Sequence, residues 1–512
     1  MSRLENSTKN LFLSLFNSIF SSLLGIVSRT VFIKVLGTEY LGLAGLLGNI
    51  LGFLAISELG ISTAIGFSLY KPLAEKDYKS VSALMTVYRK AYAVIGGIVF
   101  FSGIRLFFAL DFFIPVNQQP NGTEFAYFAF LINTTVGYFL SYKTTLISSD
   151  NQAYRLAPIY IGMSVVQTIL QITVLLIFKS YIIYLSIQIA CSIATMFLQN
   201  RYITNKYEYV DFYSEEKLNP EQENQLKRNI SGLIIAKIGD YLVNSTDNLI
   251  ITKLVSLSAT GIYSNYLMIR NMVNGYIGTV FSSVTASLGN VVAIETDERK
   301  KESFDIMMFF AYFVYSFEAV CFLCLFNTFI GEIWIGKQYV FDFITVLIIV
   351  VNNFLTGLRI PLITMKNVAG KYMEDAWIPF AFAIVNLVAS IILVKHFGVS
   401  GVFLGTIIGS LFTADWYRPI VIYHKVFHTS VMEYYKKYLV YIILGFLNMA
   451  IAYSLCTMIN TKVILLNFIM KAFIAASLPI IINSVIFYRT KEFKAITDMV
   501  KRIFRKVMHR EN

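Results

Sequence analysis

Charge is what this sequence has least of. Only 14% of its 512 residues are Asp, Glu, Lys or Arg, against about a quarter in a water-soluble chain. Most of the molecular surface must therefore face something other than water. The short period-two segments of a transmembrane barrel are also missing, and the apolar runs are about twice too long for barrel strands. No GxxxxGK[ST] occurs, and the longest stretch read as a cytoplasmic loop, Asn205 to Asn229, is too short for a nucleotide-hydrolysing domain. Transport driven by ATP within this chain is excluded. The four histidines, His396, His424, His428 and His509, lie at the ends of apolar runs or in the tail, without metal-ligand spacing. Cys191, Cys321, Cys324 and Cys456 all fall inside apolar runs. Cys321 and Cys324 form a CxxC, but without a Trp-Cys-Gly context or a βαβ pattern they read as buried spectators. Neither cofactor, metal nor nucleic acid is expected.

What the chain does have is apolar length: 56% of residues are hydrophobic and the mean hydropathy is +0.63. A bilayer core of about 30 Å takes about 20 apolar residues per helix. Fourteen such runs follow: Leu11 to Val35, Tyr40 to Leu69, Met85 to Leu110, Thr123 to Ile147, Leu156 to Phe178, Ile182 to Tyr202, Ile230 to Leu254, Thr260 to Val292, Phe304 to Ile330, Phe341 to Thr364, Ala376 to Val394, Val399 to Ile422, Tyr435 to Cys456 and Val463 to Tyr488. The first exceeds a signal-peptide core and is read as a retained helix. Lys and Arg separate cleanly onto alternate loops. One set carries groups such as Lys71, Lys76 and Lys79, or Arg299, Lys300 and Lys301. The other holds at most one each: Lys179, Lys253, Lys337, Lys395 and Lys462. Short basic loops stay inside, so both termini are expected in the cytoplasm. The tail from Arg489 holds eight basic and three acidic residues and is expected to lie on the anionic inner leaflet.

An internal repeat runs at an offset of about 218 to 220 residues. Ile363 to Leu393 echoes Leu146 to Leu175, and Leu249 to Tyr263 echoes Val31 to Ala44, setting Gly261 near Gly42. Six helices per half keep the halves in one orientation. The expected architecture is an all-α polytopic membrane protein with two parallel six-helix lobes around a central cavity. Residues 1–218 form the N-lobe, 219–432 the C-lobe, 433–488 two extra spans and 489–512 a basic cytoplasmic tail.

Polar residues inside the spans are the functional candidates. Helix one carries Ser14, Asn17, Ser21, Gly25, Ser28 and Arg29 on one face. Helix seven, its repeat mate, carries Lys237, Asp240, Asn244 and Asp247 at the same spacing, and helix eight adds Asn271, Asn274, Gly278, Ser282 and Thr285. Helix packing and a self-satisfying Lys237 to Asp240 pair are the plain alternatives. Further charges are Glu58, Arg105, Lys143, Arg270, Glu318 and Arg359. Arg105 and Lys143 lie within about two turns of a span end and are expected to snorkel to water. Bases outnumber acids. Arg29, Lys237, Arg270 and Arg359 are therefore candidates for an anionic substrate group, and Glu58, Asp240, Asp247 and Glu318 for a coupling ion, H+ or Na+, or for structural pairing.

The stretch Phe32 to Asp77, FIKVLGTEYLGLAGLLGNILGFLAISELGISTAIGFSLYKPLAEKD, resembles the N-terminal signature of bacterial oligosaccharide flippases, the Wzx-like polysaccharide transporters. Thr246 to Ile269, TDNLIITKLVSLSATGIYSNYLMI, resembles the second-half counterpart. The resemblance implies the fold shared with MATE-type multidrug exporters and lipid II flippases. It also implies a substrate of undecaprenyl-pyrophosphate carrying a capsule, exopolysaccharide or O-antigen repeat unit, moved across the bacterial cytoplasmic membrane beside a polymerase of the same pathway. A MATE-type drug exporter is the first alternative. A polysaccharide polymerase or ligase is the second, and it would need a large outer loop that the chain lacks.

Overall fold

The computed structural model describes residues 3–54, 61–216, 246–371 and 374–508, with Leu218, Pro220, Glu223 and Leu226. Among the described residues the chain is helical throughout, without strands, and ten helices are long and apolar enough to cross a membrane. It is an all-α polytopic membrane protein. Its residues fall into two compact units, Met1–Met268 and Ile269–Asn512.

The first unit contains α1 (Arg3–Leu36), α2 (Glu39–Leu54), α3 (Ile61–Glu75), α4 (Tyr78–Phe107), the short α5 (Leu110–Phe113), α6 (Thr123–Ser141), α7 (Thr144–Ser149), α8 (Ala157–Phe178) and α9 (Tyr181–Lys206). Residues 246–254 form α10, and α11 (Leu257–Ile294) begins in this unit and ends in the other. Local chemistry sets the ends. Asp77 caps α4 by accepting from the Ser80 backbone N–H at 3.1 Å, and the Ser80 hydroxyl together with that bond holds its carboxyl below the usual carboxylate range. Lys179 turns left-handed to stop α8 at φ 49°. Around α1, α8 and α9 the rings of Phe32, Tyr181 and Tyr184 meet edge to face, Phe32 to Tyr184 at 4.9 Å.

The second unit continues with α12 (Asp297–Thr328), α13 (Phe343–Val368), α14 (Ile378–Phe397), α15 (Val399–Phe412), α16 (Ala414–Ile422), α17 (Met432–Met458), α18 (Ile464–Phe487) and α19 (Lys491–Met508). Helix α12 is its axis, touching α13, α17, α18 and α19. Polar glue fastens the last two spans to it. Asn448 of α17 donates to Ser316 at 3.2 Å and to Asn483 of α18 at 3.0 Å, while Tyr312 donates to the same Asn483 oxygen at 2.6 Å. In lipid these groups have no water to fall back on.

Two expected spans are interrupted. The fourth is α6 and α7, separated at Tyr142 and Lys143, and the twelfth is α15 and α16, broken at Thr413 with φ −130° and ψ −82°. The seventh lies largely outside the described residues. Lys143 does not reach water as its position suggested. Its side chain is buried, donating to Thr204 Oγ1 at 2.7 Å and lying 4.1 Å above the Phe212 ring. Here a cation–π contact and a hydroxyl replace solvent.

Helices α14 and α15 form the tightest pair, because Gly401, Gly405 and Gly409 present no side chain to Leu393, Ser390 and Asn386. A Cβ on Gly405 would stand 2.6 Å from the Ser390 backbone nitrogen. Gly405→Ala is expected to lower stability by about 1–3 kcal/mol through forced separation of the helices. Thermal unfolding of the detergent-solubilised protein checks this. Gly97→Ala, which meets nothing within 4 Å, is the control and should leave the transition where it is or raise it slightly.

Candidate functional site

Arg29 lies two turns before the end of α1, inside a span. Its Nη1 donates to the Ser264 carbonyl at 3.0 Å and its Nη2 to the Ser264 hydroxyl at 2.6 Å. Ser264 is oriented in turn, since its hydroxyl donates to the Gly261 carbonyl at 2.6 Å. The third guanidinium nitrogen, Nε, is buried without a partner. Among the described residues no carboxylate pairs with this arginine. A guanidinium held only by neutral oxygens in lipid carries an uncompensated positive charge, which is the setting that attracts an anion.

Arg29 stands beside a close approach of two turns. Gly42 opens α2 and Gly261 opens α11. A Cβ on Gly42 would lie 2.1 Å from the Leu257 carbonyl oxygen, and one on Gly261 would lie 2.0 Å from the Thr38 carbonyl oxygen. Thr38 Oγ1 and Ser258 Oγ sit 3.0 Å apart across the same seam. Gly42 and Gly261 are repeat mates, as are Thr38 and Leu257, all 219 positions apart. Each half of the contact is therefore the image of the other, the reciprocal pattern of a two-fold axis. Further along, a Cβ on Gly25 would meet the Met268 methyl at 3.1 Å. The stripe expected on helix one is thus in part a packing face towards the start of α11, while Asn17 accepts a long bond from Ser21 at 3.4 Å.

In the second unit a polar chain crosses three helices. Asn274 of α11 donates to Asn353 of α13 at 3.0 Å, and Asn353 donates to Glu318 Oε2 of α12 at 3.0 Å. Glu318 is 2% exposed, and its other oxygen, Oε1, has no partner. The half-buried Arg270 is its electrostatic neighbour, and Nη2 of that arginine donates to Asn271 Oδ1 at 3.5 Å. A buried carboxylate with one free oxygen can take up a proton or a small cation.

Arg359 is placed differently from Arg29. It is buried on α13, its Nε 3.3 Å from Asp415 Oδ1 of α16 and donating to the Leu355 carbonyl at 3.1 Å. Asp247 is half-buried on α10. Glu58, Lys237 and Asp240 lie outside the described residues, as do Asn244 and the Ser14 side chain. Sequence reasoning missed Asn353, Asp415 and the buried Asp375, which accepts from Lys366 at 2.7 Å and Arg418 at 2.9 Å. Asn353 sits one turn from other polar residues of α13, Asn352 and Thr356, a signal that the search for charges passed over.

No family model matches the chain, and no curated protein does. Solved structures match its fold. The lipid II flippase MurJ in an inward closed conformation superimposes with a TM-score of 0.62 at 14% identity, over 93% of this chain and 99% of that one. An inward-facing multidrug resistance MATE family transporter of the MOP superfamily gives 0.59 at 13%, over 88% and 100%. A MOP superfamily transporter from Pyrococcus furiosus, described as having a binding pocket of reverse polarity, gives 0.55 at 13%, over 89% and 96%. The chain therefore has the fold of these MOP superfamily transporters.

The glycine seam can be tested in membranes. Thr38→Cys with Ser258→Cys should cross-link readily under a mild oxidant, since the two hydroxyls already touch. Adding Gly42→Ala or Gly261→Ala should remove most of the cross-linked band. Undiminished cross-linking in those variants would show that the turns tolerate a side chain between them.

Proposed function

We propose that this protein is a flippase that moves an undecaprenyl-pyrophosphate-linked oligosaccharide repeat unit across the bacterial cytoplasmic membrane by alternating access, for capsule, exopolysaccharide or O-antigen synthesis. The observation that carries the reading is Arg29, a buried intramembrane guanidinium whose described partners are all neutral. A pyrophosphate supplies the charge that this site lacks, polar sugars follow it through a polar path, and the isoprenoid chain stays in lipid. The resemblance of Phe32 to Asp77 and Thr246 to Ile269 to the Wzx-like transporters supports the cargo, and the shared fold with the lipid II flippase MurJ supports the class. Lys237, Arg270 and Arg359 complete the cationic set, of which Arg359 already has Asp415 beside it. Glu318 is the strongest coupling candidate, with Glu58, Asp240 and Asp247 behind it. Both termini are cytoplasmic in this reading, a polymerase of the same pathway takes the product, and the protein performs no covalent chemistry of its own.

A MATE-type exporter is the second reading, favoured by the equally good match to MATE structures and by the buried carboxylate of Glu318. One strain separates the two. In a flippase-null background, Arg29→Ala and Arg270→Ala proteins, inserted at normal levels, are expected to lose at least about tenfold of the surface polysaccharide that the parent restores, the loss of one charged hydrogen bond. Lipid-linked repeat units should accumulate facing the cytoplasm. Full restoration by these variants, or drug resistance conferred without any polysaccharide, would sink the flippase reading. Glu318→Gln should retain insertion and lose dependence of transport on the ion gradient.

A further inference from the structure

The outer surface of the first unit carries a groove of about 410 Å³ between α8 and α9. Ile159, Met163 and Leu198 wall it, and Gly162 deepens it, with nothing within 4 Å of where its Cβ would be. Leu198 is 43% exposed, so the groove opens sideways. In a membrane protein an apolar groove open at its side faces acyl chains. One end is polar, lined by Arg201, Tyr202 and Asn205 of the last turns of α9.

That end holds more positive charge than its lining alone. Arg155, in the turn before α8, hydrogen bonds to the Tyr202 and Tyr154 hydroxyls and lies 5.6 Å over the Tyr154 ring. Lys206 closes α9, its amine donating to Gln152 and lying 5.5 Å from the Tyr207 ring. Asp150, in the same turn, is bonded to Tyr207, whose hydroxyl donates to it at 2.7 Å, and to Gln152. Three cations, Arg155, Arg201 and Lys206, thus gather at this end, and the carboxylate of Asp150 is already bonded. Tyr78, Tyr209 and Tyr207 form one ring cluster, Tyr78 to Tyr209 at 4.2 Å, and Tyr154 and Tyr202 flank Arg155. Tyrosines gather where bilayer meets water, which sets the cationic end at headgroup depth and the apolar walls at chain depth.

We propose that this groove is a binding site for an anionic phospholipid, one acyl chain lying along Ile159, Met163 and Leu198 and the phosphate held by Arg201 and Arg155. Arg201 supplies a bidentate donor face that suits a phosphate. Tyr202 and Asn205 are hydrogen-bonding groups for the glycerol and its esters. Basic loops on this side are those expected in the cytoplasm, so the lipid belongs to the inner leaflet, the one that carries anionic headgroups. The site is independent of the transport reading, because it requires only that the unit sit in a bilayer.

The test places a reporter in the groove. Leu198→Trp, and separately Met163→Trp, are made in the full-length protein, whose own Trp334, Trp377 and Trp416 all lie in the other unit. Each is reconstituted in phosphatidylcholine vesicles containing increasing brominated phosphatidylglycerol or brominated phosphatidylcholine, and quenching of the parent is subtracted. Half-maximal quenching is expected at about a fivefold lower mole fraction of the anionic lipid for each cation engaged, since one Lys or Arg near the surface contributes a factor of about five. Arg155→Gln with Arg201→Gln should abolish the preference while leaving quenching by phosphatidylcholine unchanged. Equal quenching by both lipids, or a preference surviving in the double variant, overturns the proposal. Loss of the preference on adding inorganic phosphate at constant ionic strength also overturns it, in favour of a phosphate-ion site.

Discussion

Within a bilayer there is no water to complete an unfinished polar group, and this constraint governs the placement of almost every charge in the molecule. Arg359 has Asp415, Asp375 has Lys366 and Arg418, and Lys437 spans Asp305 and Glu492. Asn448, Asn483, Tyr312 and Ser316 close one network. Not every buried charged group among the described residues is completed in this way; Asp415 Oδ2, for one, accepts no hydrogen bond. Arg29 keeps a buried nitrogen, and Glu318 a buried oxygen, with neither hydrogen bond nor ion pair. An effective penalty of several kcal/mol per buried ion makes such exceptions expensive. In the proposed reading a transported anion at Arg29 and a bound proton or cation at Glu318 are the partners of opposite sign that recover the energy.

The glycine seam gives the internal repeat a physical meaning. A repeat in sequence can persist as a relic of duplication, with its halves diverging freely. Here Gly42 meets the Leu257 carbonyl and Gly261 meets the Thr38 carbonyl at nearly the same distance, so a side chain at either position would push the same two turns apart. The two halves are held to matching sequence at this point because they form one contact. Arg29 borders it through Ser264, one turn beyond Gly261. Opening the seam by moving α11 away from α1 would strip Arg29 of both its described bonds, so the pairing of that arginine and the closure of the turns are coupled by construction.

Spans were legible in the sequence because hydropathy over about 20 residues averages away local detail. The same averaging hid the interruptions. Thr413 and the Tyr142 to Lys143 turn sit inside continuous apolar runs, and neither Gly nor Pro marks the break. Arg29, Glu318 and the asparagines of α11 stood out as polar residues in apolar surroundings, and their helical spacing gave their faces. Their partners did not stand out. Asp415 lies 56 positions from Arg359 and Asn353 lies 35 from Glu318, and no periodicity on one helix says which residue of another helix it will meet. Lys143 shows the limit most sharply, since its depth predicted snorkelling whereas a ring and a hydroxyl from distant segments captured it.

Arg29 and Arg359 differ in what an arriving anion would displace. Both are arginines in apolar helices, and both have a serine or threonine hydroxyl nearby. Arg359 also has a carboxylate 3.3 Å away, so an arriving anion would have to displace Asp415 and leave it buried and unpaired, a loss of about 3–5 kcal/mol. At Arg29 an anion displaces only a serine, whose hydroxyl already donates to the Gly261 carbonyl and stays satisfied. The two guanidinium bonds to that serine contribute about 1.5–3 kcal/mol each, and bonds to the anion take their place without leaving a charge unpaired. In the proposed reading this difference, rather than depth or sequence spacing, assigns the anion to Arg29 and not to Arg359.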